Sequence, residues 1–157
     1  MERVEITLGP MNAATDSKGS REEKSAKPAV LVIDDEQPIL DVFSAALSPY
    51  FAVTTASSSR EAEFILYKHP FKVVIADHLM PGGNGMSLLV RAREEYPQMQ
   101  RVLVTGYMKP EMLLRSVNEA ALFRYLLKPV SVGELIRVVQ DAAKLHDQIA
   151  ADSATAG

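Results

Sequence analysis

The chain has 157 residues, 47% of them hydrophobic, and a formal net charge of −3. That is enough for one domain with its own core, and the acidic balance argues against direct nucleic-acid binding. The absence of cysteine excludes disulfides, thiolate metal sites and thiol nucleophiles, and the lack of a long apolar run predicts no membrane span or signal peptide, which favours a soluble cytoplasmic protein.

The two ends of the chain are predicted to lie outside the folded part. Residues 11–28 are small, polar and charged without periodicity, so residues 1–27 are expected to form a disordered extension. Within it, Val4, Ile6 and Leu8 alternate as in a strand that could dock on a sheet edge, although mobility is the expectation. Residues 151–157 are expected to form a flexible tail.

Between these ends, short apolar runs alternate with amphipathic stretches five times. The runs are AVLVI (29–33), FAVTT (51–55), KVVIA (72–76), RVLVT (101–105) and LFRYLL (122–127). Helical spacing follows them over residues 38–47, 57–69, 85–96, 110–120 and 131–150. Serines can cap the second helix, Pro110 suits a first helical position, and Ser131 with Glu134 forms a capping box.

Five such units predict an α/β fold with a single parallel sheet. Runs that are apolar without alternation are typical of strands buried on both faces, and right-handed crossovers place helices on both sides of the sheet. We expect a doubly wound, five-stranded, flavodoxin-like sheet with strand order 2-1-3-4-5, spanning residues 28–150.

Polar residues follow four of the five strands, at the edge where such sheets bind ligands. Asp34 and Asp35 follow the first strand, Asp77 the third, Thr105 ends the fourth and Lys128 follows the fifth. Because the first and third strands are neighbours, three carboxylates should meet. Taken alone, Asp34 and Asp35 could instead cap the next helix, and Asp77 could simply start a turn.

Carboxylates that lie so close together need positive charge nearby. Two of them about 4 Å apart repel by about 4 kcal/mol at an effective dielectric constant near 20. Lys128 supplies one positive charge, and a hard divalent cation can supply the rest. A site with few protein ligands suits Mg²⁺ better than calcium.

With these residues in place, the sequence resembles the receiver domain of two-component response regulators. The acidic pair of VLVIDDE, the pattern in DHLMPGGNG, VLVTGY and YLLKP carry the resemblance, which covers Lys27 to about Ile149. It implies that Asp77 accepts a phosphoryl group from a sensor histidine kinase or a phosphotransfer protein. It also implies that Asp35, Asp77 and the backbone carbonyl of Leu79 bind Mg²⁺, with Asp34 assisting through water.

The resemblance also assigns a conformational switch. Lys128 would contact the phosphoryl oxygens, Thr105 would close on them, and Tyr125 matches the aromatic switch position. The altered surface would be the fourth helix, fifth strand and fifth helix, where a downstream partner, an output domain or a second copy could bind. Its charged residues are Arg115, Arg124, Arg137 and Asp141.

Residues beside the predicted site suggest how long a phosphorylated form would last. Leu79 and Tyr107 lie two positions beyond Asp77 and Thr105 and would flank an attacking water. Leucine has no donor or acceptor to orient that water, so we expect the phosphorylated form to persist longer than in receivers with a polar residue at the position of Leu79. Small residues would leave room for the histidine of a kinase to approach: Gly82, Gly83, Gly85 and Gly106.

The residues also bear on three other assignments. A phosphatase of the haloacid dehalogenase type needs a second aspartate where Leu79 stands, so only self-phosphotransfer and autodephosphorylation are expected, rather than enzymatic turnover. A flavodoxin would need a phosphate-binding loop after the first strand, where the acidic pair would repel phosphate. A receiver cut from a larger regulator with an enzymatic output domain remains open. His78 is expected to face solvent and carries no predicted role.

Overall fold

The computed structural model describes residues 27–80 and 83–156. Within these ranges the five predicted units are present. The strands are β1 (Ala29–Ile33), β2 (Ala52–Ala56), β3 (Val73–Asp77), β4 (Gln100–Thr105) and β5 (Arg124–Leu127). The helices are α1 (Gln37–Leu47), α2 (Ser59–Lys68), α3 (Gly85–Glu95), α4 (Pro110–Ala120) and α5 (Val132–Ala156).

The five strands form one parallel sheet in the order β2-β1-β3-β4-β5, which confirms the predicted order. Each strand alternates its side chains between two faces. Val30 and Val32 of β1 pack with α1 and α5 on one face, whereas Leu31 and Ile33 pack with α2 and α3 on the other. The sheet is therefore buried on both sides, as its uninterrupted apolar runs predict.

Helix boundaries agree with the predicted capping signals. Ser58 is the N-cap of α2 and accepts from the backbone N–H of Glu61. Helix α4 begins at Pro110. Ser131 accepts a hydrogen bond from the backbone N–H of Glu134 at 3.1 Å, which is the first half of the predicted capping box.

The structure departs from the predicted elements at two places. A two-stranded antiparallel ribbon, Leu79–Met80 with Gly83–Asn84, follows β3 and was not predicted. Helix α5 runs to Ala156, six residues past the predicted end at residue 150. Alanine favours helix strongly, and Gln98 donates to Ser153 at 3.5 Å, so the segment read as a tail continues the helix.

Some predictions concern other parts of the chain. The proposed disorder of residues 1–27 and the alternation at Val4, Ile6 and Leu8 lie almost wholly outside the described residues, as does Gly82. Within the described ranges, none of the helices is long and apolar enough to cross a membrane.

Candidate functional site

Three carboxylates meet at the carboxyl ends of β1 and β3. Asp34 and Asp35 follow β1, Asp77 is the last residue of β3, and these two strands are neighbours in the sheet. One side-chain oxygen from each carboxylate lies within 4.8 Å of the other two. Asp34 and Asp77 are buried and Asp35 is exposed, so Asp35 is the member of the cluster that faces solvent.

Lys128 is the cation that faces this cluster. Its Nζ lies 3.1 Å from Oδ1 of Asp77 and 3.4 Å from Oδ2 of Asp34. Its backbone N–H donates to the carbonyl of Thr105 at 2.9 Å, so the pairing of β4 with β5 positions both residues. Burial alone would lower the pKa of Lys128, but hydrogen bonds and charge from Asp77 and Asp34 raise it.

The pKa of Asp77 is raised above the ordinary value of an aspartate. Burial raises its pKa most, the hydrogen bond from Lys128 lowers it, and the charges of Asp34 and Asp35 raise it further. Burial and like charge both disfavour the ionised form. The net rise in the pKa indicates that Lys128 does not fully offset burial together with the two neighbouring carboxylates.

Asp34 is fixed by backbone contacts as well as by Lys128. Its Oδ1 accepts from the N–H of Glu36 at 2.9 Å, and its own N–H donates to the carbonyl of Ala56 at 3.1 Å. The N-cap of α1 is Glu36, without a side-chain cap. The acidic pair therefore shapes the turn before α1 but does not cap the helix.

Thr105 lies beside the cluster with its hydroxyl already engaged. The side chain is buried, and Oγ1 donates to the carbonyl of Tyr107 at 3.2 Å. Tyr107 itself is 75% exposed, and Leu79, two residues after Asp77, is 68% exposed. Tyr125 of β5 is 40% exposed.

Two glycines predicted to keep the site open have different surroundings. A Cβ on Gly106 would meet nothing within 4 Å, so this position is open space. A Cβ on Gly85 would lie 2.0 Å from the carbonyl oxygen of Asp77, so glycine is needed there for close backbone packing. For Gly85 the expectation of an approach path was wrong, because the space is filled by the backbone of Asp77.

His78 also differs from its prediction. It is half-buried, and its Nδ1 is buried without a hydrogen-bond partner among the described residues. Its N–H donates to the carbonyl of Val104 and its carbonyl accepts from Gly85. Pairing with β4 thus continues one residue beyond Asp77, which keeps His78 against the sheet instead of in solvent.

The donor set fits a divalent metal ion. Three clustered carboxylates offer hard oxygen ligands, which Mg²⁺ and Ca²⁺ prefer, and the single ammonium group of Lys128 balances only part of their charge when all three are ionised. The acidic pocket of Asp34, Asp35 and Asp77 can therefore bind a metal.

Known proteins have this fold and are similar to this chain in sequence. Residues 30–140 match the response regulator receiver domain family. The hydrogenase transcriptional regulatory protein HoxA of Cupriavidus necator is 37% identical over 115 residues, which are 73% of this chain and 24% of HoxA. This chain thus spans about a quarter of that relative's length.

Solved structures agree with the sequence match. A response regulator receiver domain protein from Clostridium thermocellum has a TM-score of 0.73 and 31% identity, covering 78% of this chain and 98% of its own. A structure of an adenylate cyclase from Rhodopirellula baltica has a TM-score of 0.78 and 28% identity, covering 82% and 96%. The chain therefore belongs to the receiver domains of two-component response regulators.

Proposed function

We propose that Asp77 is the phosphoryl acceptor of this domain. A carboxylate oxygen of Asp77 attacks the phosphorus of a phosphohistidine on a sensor kinase or phosphotransfer protein. The N–P bond breaks, its electron pair returns to the imidazole, which takes up a proton, and an aspartyl phosphate forms. The observation that carries this proposal is the cluster of three carboxylates with Lys128 only 3.1 Å from Asp77.

Mg²⁺ is the proposed cofactor. Asp35, Asp77 and the backbone carbonyl of Leu79 would hold it, with Asp34 assisting through water. When bound, the cation neutralises charge on the phosphoryl oxygens. The raised pKa of Asp77 supports this assignment, because a cation at the cluster favours the ionised, nucleophilic form of the carboxylate.

Lys128 and Thr105 are the proposed partners of the phosphoryl group. Lys128 already lies within hydrogen-bond distance of Asp77, so its ammonium can move to a phosphoryl oxygen without crossing the site. Thr105 would exchange its bond to the Tyr107 carbonyl for one to the phosphoryl group. The chemistry is limited to self-phosphotransfer and autodephosphorylation, because Leu79 stands where an acid/base aspartate would be needed for turnover.

The switch surface is proposed to comprise α4, β5 and α5. A groove of about 630 Å³ lies there, lined by apolar and charged residues: Val117, Leu122, Phe123, Arg124, Tyr125, Leu127 and Glu134. Inward movement of Tyr125 would change this groove when the loop after β4 moves. A downstream partner or a second copy of the domain would bind it in the phosphorylated state.

The output of the domain is proposed to lie in a larger protein or a separate partner. HoxA, about four times as long as the matched region, is named as a transcriptional regulator, and a similar structure is titled as an adenylate cyclase. We propose that this receiver controls such an output through the α4–β5–α5 surface and does not itself contact DNA.

Intact-mass measurement of phosphorylation tests the acceptor assignment. With Mg²⁺ and a small phosphodonor, the parent should gain one phosphoryl group, Asp77→Asn should gain none, and chelation should suppress the reaction. Asp41→Asn is the matched control, because Asp41 is an exposed carboxylate of α1 outside the cluster. Phosphoryl addition to Asp77→Asn, or at an unchanged rate under chelation, would contradict the proposal.

The same samples test the switch. Amide chemical shifts should change on phosphorylation both around Asp77 and over α4, β5 and α5. Changes confined to the surroundings of Asp77 would show that no signal reaches the proposed surface.

A further inference from the structure

Helix α4 is attached to the domain unevenly along its length. Its fully buried residues are Ser116 and Ala120, both in the second half of the helix. At the other end, the N-cap Lys109 forms no side-chain capping bond, and Glu111 and Met112 are exposed. Leu113 is the residue of these first turns that packs, half-buried, against the core. The first turns of α4 are therefore attached less firmly than its C-terminal end.

Two arginines from neighbouring elements hold the C-terminal end of α4. Nη1 of Arg93, on α3, donates to the carbonyls of Asn118 and Glu119 at 3.1 and 2.9 Å. Arg101, on β4, donates from Nε to the carbonyl of Ala120 at 2.7 Å and from Nη2 to that of Ala121 at 3.2 Å. The last carbonyls of a helix lack intrahelical donors, and positive charge is favourable beside them.

Arg101 is buried, and its guanidinium group donates to backbone carbonyls. It is 5% exposed, its Nη1 donates to the carbonyl of Met99, and no carboxylate among the described residues forms an ion pair with it. Burial, and then the charge of Arg93, lower its pKa. A buried cation is costly unless its donors are satisfied, and here the helix end satisfies them.

We propose that Arg93 and Arg101 fix the C-terminal end of α4, so that the helix moves as a lever whose N-terminal end follows the loop after β4. The lever rests on the proposed function, in which a phosphoryl group on Asp77 draws Thr105 away from the Tyr107 carbonyl. That loop joins Thr105 to Pro110, so its movement reaches the first turn of α4. The surface change is then largest near Met112 and smallest near Ala120.

Hydrogen exchange on the full chain tests the anchor without phosphorylation. In Arg93→Ala, amides of residues 117–122 should exchange about fivefold faster, because two bonds from a charged donor are lost. Arg91→Ala is the matched control: Arg91 is an exposed arginine of the same helix but pairs with Glu63 of α2. Equal exchange of residues 117–122 in both variants and the parent would overturn the anchor.

The lever is tested by two independent perturbations. Thr105→Val removes the hydroxyl that bonds the Tyr107 carbonyl, and phosphorylation should displace the same loop. When Arg93 is present, each perturbation should change the amide exchange rates of residues 106–116 and leave those of residues 117–122 unchanged. When the same perturbation is made in Arg93→Ala, the change should extend to residue 122. Uniform changes along α4 would overturn the lever. Failure of phosphorylation alone would count against the acceptor assignment, and the Thr105→Val comparison would still decide the lever.

Discussion

Replacing Lys128 with methionine should destabilise the domain by about 2–3 kcal/mol near neutral pH without divalent cations. At an effective dielectric constant near 20, each of its contacts with Asp77 and Asp34, at 3.1 and 3.4 Å, represents about 5 kcal/mol of Coulomb attraction. Much of this is offset by the hydration that the ammonium loses. Breaking a buried pair costs about 3–5 kcal/mol, and the 26% exposure of the Lys128 side chain lowers the expected value.

The loss of stability in Lys128→Met should become smaller as pH falls. The pKa of Asp77 is raised, chiefly by burial, so ionisation of Asp77 destabilises the fold above that pKa and acidification relieves the penalty. Removing Lys128 removes the main compensation for the ionised form. The loss should therefore be largest near neutral pH and shrink as pH falls through the pKa of Asp77. The pKa of Lys128 is itself raised, so its contribution is complete at neutral pH and is lost only under alkaline conditions.

Urea unfolding at neutral and mildly acidic pH measures this effect. Lys144→Met, at an exposed lysine of α5, controls for the loss of a surface charge. Repeating Lys128→Met in an Asp77→Asn background separates charge from packing, because the loss should be smaller there. A loss below about 1 kcal/mol, or one that is the same in both backgrounds, would refute the electrostatic account.

Two further predictions concern single positions. Gly85→Ala should lower the free energy of unfolding in urea by about 1–3 kcal/mol, because its Cβ would lie 2.0 Å from the carbonyl oxygen of Asp77. Gly133→Ala is the control and should not lower it, because a Cβ there meets nothing within 4 Å. Similar losses of stability in both variants would contradict the clash. Leu79→Asn should release phosphate faster after the donor is removed, by less than the roughly 100-fold effect of a fully used base, and an unchanged rate would show that Leu79 does not shield the acyl phosphate.

The sheet and the acidic cluster could be predicted because both follow from local pattern. Uninterrupted apolar runs identified buried parallel strands, and the flavodoxin-like arrangement of five such units supplied their order. Once β1 and β3 were neighbours, Asp34 and Asp77 had to end at the same edge. Their separation of a few ångströms needed no further information than strand order.

Features that depend on tertiary contacts could not be predicted from the sequence. The need for glycine at position 85 arises from the backbone of Asp77, eight residues away. Arg101 reads as an ordinary polar residue at the start of a strand, yet it is buried against the end of α4. The end of α5 was misjudged for a different reason: small polar residues suggested a tail, while alanine propensity carried the helix to Ala156.

The hydrogen bond from Thr105 to the Tyr107 carbonyl sets how sharply the domain can respond. In the proposed switch, Thr105 gives up a neutral hydrogen bond to gain a charge-assisted one, so only the difference between them drives closure. Neutral bonds contribute about 1 kcal/mol and charged ones about 1.5–3 kcal/mol. That difference alone shifts the ratio of closed to open domains roughly 2- to 30-fold, far short of the roughly 10⁴-fold needed to move it from about 1:99 to about 99:1. Thr105 by itself therefore gives a graded response, and a partner that prefers the closed state would complete the transition.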